Sequence, residues 1–205
     1  MTKNKKVEKN ESVICTHIQI NDSIPNLSFE IYDPVSESIK KTNLHSYHDK
    51  WLIVFFYPAD FTFVCPTELE EMANLYFEFK KEDAEILSVS TDTVFVHKAW
   101  HDHSPAIKKI KYPMAADPTG ALCKLFGTYI EEDGLSLRGT FVIDPKGVLK
   151  AIEINDNSVG RKGTETLRKL RAAKYVSKHP NNVCPASWEP GDDTLKPGLD
   201  LVGKL

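Results

Sequence analysis

The sequence predicts an α/β sandwich built on one mixed sheet, and three observations carry that expectation. Apolar, β-branched runs of strand length alternate with stretches whose apolar residues recur every three or four positions. The segment LRGTFVIDPKGVLKAIEIND, residues 137–156, reads as two strands folded about the turn DPKG. A long charged helical stretch follows and stops before Pro180, because the residue ahead of a proline avoids helical geometry. Alternating strands and helices give parallel neighbours, and the hairpin adds antiparallel ones.

Each element has its own signal. Residues 1–12 are rich in Lys, Asn and Glu and are expected to form a mobile N-terminal arm. IPNLSFEIY (24–32) alternates as a strand and leads into a polar Pro/Ser turn. WLIVFFYP (51–58) is continuously apolar, the mark of a strand buried on both faces, and Pro58 ends it. EMANLYFEFKK (71–81) places Met72, Leu75, Tyr76 and Phe79 on one helical stripe. AEILSVSTD (84–92) is a second buried strand, VFVHKAWHDHS (94–104) a second helix, and YPMAADPTG (112–120) a short strand entering a turn. TGALCKLFG (119–127) fits a brief helix with Gly127 just past its end. GTETLRKLRAAKYVSKH (163–179) is the long closing helix. Pro185, Pro190 and Pro197 then make 180–205 an extended C-terminal tail, leaving 13–179 as the folded domain.

Totals narrow the function. A chain of 205 residues, 41% apolar and 27% charged, has the composition of an ordinary soluble domain. Its net charge of −3 argues against nucleic acid as a partner. No stretch approaches the ~18 apolar residues of a membrane span, and MTKNKKVEKN lacks the apolar core of a secretion signal. A cytoplasmic location is expected, where disulfides tend to be catalytic or redox-sensing. The four cysteines, Cys15, Cys65, Cys123 and Cys184, form no C-x-x-C pair, against structural zinc and the simplest dithiol oxidoreductase. No glycine-rich phosphate loop is present either. His97, His101 and His103 lack the glutamate of H-E-x-x-H and read as a polar helix face rather than a metal site. Cys123 sits on an apolar helical face as a packed thiol. Cys15, just before the first strand, reads either way, and Trp188 is expected to pack over the tail near Cys184.

Cys65 carries the chemistry. It lies in FTFVCPTELE, between the end of the central strand and the start of a helix, where unpaired N–H groups and the helix dipole favour an anion. A free thiol of pKa ~8.5 is only about 3% ionised at pH 7, and reaching about 90% takes ~3.4 kcal/mol. A helix end supplies ~0.3–1 kcal/mol, at most ~2, so a cation must help. Arg138, opening the strand RGTFVI, is the candidate. Thr62 offers a hydroxyl to a bound oxidant, and Pro58 shields the sulfur without adding a competing donor. On position alone Cys65 is also readable as a small buried hydrophobe, a reading that Pro58, Thr62 and Pro66 around it disfavour. Pro66 suits a helix's first turn, yet Thr67 and Glu70 form a possible capping box that would start the helix later. That conflict suggests a first turn able to unwind.

FYPADFTFVCPTE resembles the peroxidatic signature P-x-x-x-T/S-x-x-C of the peroxiredoxins. The likeness continues through LRGTFVIDPKG, NDNSVGRKGTETLR, NNVCPASWEPG and TLKPGLDLVGKL, and points to the typical two-cysteine class, the alkyl hydroperoxide reductase C and thioredoxin peroxidase type. It implies a thioredoxin-like fold in which Cys65 attacks the peroxide and becomes a sulfenic acid. Cys184, in a second Val-Cys-Pro frame, would then resolve it from a partner subunit's tail as an intersubunit disulfide. Pro58, Thr62 and Arg138 match the remaining active-site positions, and Glu68 and Arg161 a supporting carboxylate–arginine network. Hydrogen peroxide and organic hydroperoxides are the implied substrates, with a dithiol protein reductant (thioredoxin or a dedicated flavoprotein) and no metal, haem or flavin. A homodimer is implied, often a decamer of five dimers. The rival readings are a holdase that binds unfolded clients without chemistry, and a thiol–disulfide reductase, which the absent C-x-x-C disfavours. Relatives sensitive to over-oxidation carry a GGLG insertion and a Tyr-Phe helix. SPAIKKIKYP (104–113) has no such motif and the chain closes on GKL. Sulfinic acid should therefore form only at high peroxide, and inactivation at micromolar peroxide during turnover would contradict this.

Overall fold

The computed structural model describes residues 17–204; the arm at 1–12 and Cys15 lie outside the described residues. The strands are Ser28–Asp33 (β1), Ser38–Asn43 (β2), Trp51–Phe56 (β3), Ala84–Ser90 (β4), Met114–Ala116 (β5), Tyr129–Ile130 (β6), Leu135–Ser136 (β7), Arg138–Ile143 (β8) and Leu149–Asn155 (β9). The helices are Cys65–Lys81 (α1), Val94–His103 (α2), Ala121–Leu125 (α3) and Gly163–Lys178 (α4). Seven strands form one mixed sheet in the order β2-β1-β5-β4-β3-β8-β9, with β3 parallel to β4 and β4 to β5. The other pairings are antiparallel, including the hairpin β8–β9 about the DPKG turn, where Gly147 takes φ +76. β6 and β7 pair separately.

The alternation of a strand's side chains explains why β3 is apolar throughout. Trp51, Ile53 and Phe55 face one core with Leu69, Met72 and Phe79 of α1, Trp100 of α2 and Leu170 of α4. Leu52, Val54 and Phe56 face a second core with Leu122 and Cys123 of α3, Phe126 and Phe141. Helices α1 and α4 run parallel. Near their starts the Glu71 carboxylate accepts from the Gly163 backbone N–H at 2.9 Å, and near their ends Glu82 pairs with Arg171 and Lys174. Both N-termini therefore lie at the same end of the sheet.

Several expectations need correction. β2, SIKKTN, follows the Pro/Ser turn; as an exposed polar edge strand it carries no alternation that could reveal it. The small β6–β7 hairpin is too short for a period. Helix α1 begins at Cys65, as its place before Pro66 predicts, and only the later start offered by Thr67 and Glu70 is overturned: the Thr67 hydroxyl donates to Val64 O at 2.7 Å, while Glu70 pairs with Lys109 at 2.6 Å. His97 and His101 are buried rather than on a polar face. The tail is not simply extended, since Val183 bridges to Leu195 and the buried Trp188 ring lies 5.0 Å from that of Tyr175. Cys123 is a core residue as expected, its thiol pushed up by burial and by Asp117. Among the described residues no helix is long and apolar enough to cross a membrane.

Phe141 packs edge-on against Phe56 and Phe126 and is fully buried. Phe141→Ala should lower the unfolding free energy by about 3–5 kcal/mol. Urea denaturation with an unchanged m-value checks this.

Candidate active site

Four of the expected residues, Cys65, Arg138, Glu68 and Arg161, meet through backbone placement. Chain direction reverses between β3 and β8, and the register pairs Phe55 with Thr140. Arg138, two residues before Thr140, thus comes level with the chain leaving β3. The loop from Pro58 leads into α1, so Cys65 at the helix's first position arrives at the same end of the sheet. Arg138 Nη1 donates to Cys65 Sγ at 3.4 Å, and both residues are buried.

Glu68 sits one turn further along α1. Its carboxylate accepts from Arg138 Nη1 at 2.7 Å and from Arg161 Nε, Nη2 and backbone N at 2.9, 3.0 and 2.7 Å. Arg161 also donates through Nη1 to Gly139 O at 2.7 Å and the Thr140 hydroxyl at 3.1 Å, and its guanidinium lies 3.5 Å from the centre of the Phe55 ring. Arg138 turns Nε and Nη2 to the Asn157 carbonyl at 3.0 and 2.8 Å. Burial works against the Glu68 charge, but the hydrogen bonds and charge of Arg161, with the charge of Arg138, outweigh it and hold the carboxyl below its usual range. For Arg161 burial dominates and pulls the guanidinium down, Glu68 opposing it.

The charge balance indicates what this cluster favours. Two guanidinium groups face one carboxylate, so a thiol at position 65 leaves one buried positive charge uncompensated. A sulfur anion at this position would accept a charge-assisted hydrogen bond from Arg138.

The remaining expected residues are placed as follows. Pro58 is buried in the loop between β3 and α1, and the partly buried Thr62 donates its hydroxyl to Ala59 O at 2.9 Å in that same loop. Cys184 does not join the cluster. It lies on the tail against α4, its sulfur 4.0 Å from Ala172 O, in a cavity of about 450 Å³ shared with Arg168, Ala172 and Val183. Burial raises its thiol above the usual value, with Arg168 opposing. A cavity of about 900 Å³ lies at the other end of β3 between Trp51, Asp144 and Lys174 and shares no residue with the cluster. Chemistry rather than cavity size locates the site. Sequence reasoning missed the carbonyls of Gly139 and Asn157, which carry no side-chain signal, and the Phe55 face, which reads only as core. No group of three or more potential metal ligands exists among the described residues.

Comparison with known proteins agrees with this geometry. The model of the AhpC/TSA family matches residues 20–152, and that of the C-terminal domain of 1-Cys peroxiredoxin matches 172–203. The chain belongs to the AhpC/TSA family of peroxiredoxins. Alkyl hydroperoxide reductase C of Staphylococcus epidermidis is 49% identical over 186 residues, covering 91% of this peroxiredoxin and 98% of the relative. The Staphylococcus aureus counterpart is 50% identical over the same coverage. Among solved structures, AhpC of Enterococcus faecalis superposes with a TM-score of 0.78 at 42% identity, over 81% of this chain and 98% of that one. The reduced 2-Cys peroxiredoxin of Plasmodium vivax superposes with a TM-score of 0.84 at 29% identity, over 88% and 94%. The fold is therefore thioredoxin-like and the chain a peroxidase of the oxidoreductase class.

Glu68→Gln leaves two buried guanidinium groups without a carboxylate and should destabilise this peroxiredoxin by about 3–5 kcal/mol. Because the folded carboxyl is held below its unfolded value of 4.5, that advantage is complete above pH 4.5 and fades as pH falls through the lower folded value. Denaturation of both proteins between pH 7 and pH 3 should show the gap closing.

Proposed function

We propose that this peroxiredoxin reduces hydrogen peroxide and small organic hydroperoxides through Cys65, with Cys184 of another subunit resolving the product. The observation that carries the reading is the buried Cys65 sulfur, to which the Arg138 guanidinium donates at 3.4 Å at the first position of α1. The thiolate electron pair attacks one peroxide oxygen and the O–O bond breaks. The other oxygen leaves with the bonding pair and takes a proton, as water or an alcohol, while Cys65 becomes a sulfenic acid. Arg138 faces the negative charge that develops on the oxygens, a contribution made in the transition state. Thr62 supplies a hydroxyl to the bound peroxide, and Pro58 excludes water from the sulfur. The Cys184 thiol then displaces the sulfenic oxygen as water and forms the disulfide. An external dithiol protein, thioredoxin or a dedicated flavoprotein, returns both cysteines to thiols.

Two features support resolution between subunits. Arg161 meets Glu68 just ahead of α4, whereas Cys184 lies beside Ala172, about 14 Å further along that helix axis. A disulfide needs Cα atoms within about 7 Å, so the two cysteines of one chain do not pair without rearrangement. Cys65 is also fully buried at the start of α1, so its first turn must open before any second sulfur reaches it. Subunit association is consistent with β9 lying on the sheet edge and with the exposed Phe61, Phe63 and Phe95. A homodimer, and a ring of five dimers, is the assembly we propose in the cytoplasm.

Cys65→Ser should abolish peroxide consumption. Cys184→Ser should keep the first turnover but lose the peroxide-induced dimer band on a non-reducing gel; a dimer band persisting in either variant would refute the proposed pairing. Arg138→Gln should slow the reaction with hydrogen peroxide by about 10²–10³-fold, read by stopped-flow on the reduced protein. Amide exchange at 65–68 should quicken on oxidation, and protection equal to the global core in both redox states would rule out unwinding.

A further inference from the structure

We propose that His97 is a positioning residue for peroxide reduction, acting through Asp60 on the loop that carries Pro58 and Thr62. The inference rests on the function proposed for Cys65 and adds a residue with no contact to the reacting sulfur.

The loop leaving β3 has few ties of its own. Tyr57 continues the strand, its N–H donating to Val89 O at 3.0 Å. Phe61 takes φ +56, a left-handed conformation that an aromatic residue adopts only when its surroundings impose it. Beyond the Thr62 hydroxyl on Ala59 O and the Phe61 ring 5.9 Å from that of Trp100, the anchoring hydrogen bonds converge on Asp60. Its N–H donates to Asp92 Oδ2 at 2.8 Å, its Oδ1 accepts from the Tyr57 hydroxyl at 2.7 Å, and its Oδ2 lies 2.8 Å from His97 Nδ1. Asp60 and His97 are both buried, and their ion-pairing atoms are shut off from solvent.

Nδ1 also lies 3.5 Å from the Tyr57 hydroxyl, and the contact of the other ring nitrogen fixes the role of His97. Nε2 faces the Ala115 carbonyl of β5 at 3.1 Å, and a carbonyl only accepts, so Nε2 carries a hydrogen. The contact between Nδ1 and Asp60 Oδ2 then holds one shared proton, whichever atom bears it. A ring tied at both nitrogens locks the Asp60 carboxylate to α2 and to the sheet at once. The carboxylate in turn sets the path of residues 58–62, and with it the Thr62 hydroxyl and the Pro58 shield over Cys65. Burial raises the Asp60 carboxyl, with the His97 hydrogen bond opposing. Nothing in this arrangement touches the Cys65 sulfur, whose side-chain contact is with Arg138. Thiolate reactivity and peroxide alignment should therefore separate.

Two amide substitutions test this in the full chain. Asparagine places a nitrogen near the position of Nδ1 and keeps the tie to Asp60; glutamine places one near Nε2 and keeps the tie to Ala115. Each variant gives up one buried hydrogen bond, and denaturation records whether the stability losses match. His97→Asn should retain the wild-type rate with hydrogen peroxide within about threefold. His97→Gln should lose about tenfold or more while reacting with iodoacetamide at Cys65 within about twofold of wild type. Asp60→Asn should keep the loop in place, since its amide can donate to a neutral His97 and accept from Tyr57, and should react faster than His97→Gln. Equal peroxide rates in the two His97 variants would overturn the proposal, as would a parallel loss of iodoacetamide reactivity in His97→Gln. A wild-type protein slow towards peroxide would instead refute the function assigned to Cys65, so the two failures are distinguishable.

Discussion

The structure turns on burying two guanidinium groups and one carboxylate at the end of a sheet. Removing such charges from water costs several kcal/mol per ion unless each donor finds an acceptor. Arg161 meets that requirement completely, through Glu68, Gly139 O, Thr140 and the Phe55 face. Arg138 meets it through Glu68, Asn157 O and the sulfur. The sulfur is thus one of the acceptors that make the buried arginine tolerable. Under the proposed function, reactivity and structure would share the same atoms, Cys65 being part of the network that holds Arg138.

That cluster depends on topology at longer range. An apolar β3 covered on both faces keeps water from the arginines, and an antiparallel β8 returns Arg138 to the end where β3 leaves the sheet. Parallel packing of α1 and α4 brings both N-termini to the same place, where backbone N–H groups and helix dipoles favour negative charge. Glu68 on α1 and Arg161 ahead of α4 clamp those two helices together from opposite sides of the charge balance.

Much of this was legible in the sequence because the physics is local. The continuous run of β3, the stripe on α1, the DPKG turn and the stop before Pro180 each follow from neighbours a few residues apart. Arg138 could be named because a cysteine at a helix end needs a cation and a strand-opening arginine can supply one. What stayed hidden lacks a local pattern. β2 is a polar edge strand with no buried face. The start of α1 is set by Cys65 and Pro66 against tertiary partners, which override the capping residues Thr67 and Glu70. The burial of His97 depends on Asp60 and Ala115, remote in sequence, so a histidine on a helix read as surface. Pro58 and Thr62 were found through motif, and their placement on one loop gives that motif a physical form. The position of Cys184 beside α4 had no signal beyond the prolines around it.

The anchoring of Arg161 has a consequence for the reaction cycle. Its guanidinium is held by Gly139 O and Thr140 of β8 and by the Phe55 ring as well as by Glu68 in the first turn of α1. In the proposed cycle, opening of the turn that carries Cys65 and Glu68 would leave Arg161 on the sheet without its carboxylate. That sheet-bound guanidinium would then attract Glu68, and with it the turn bearing Cys65, back into the closed arrangement.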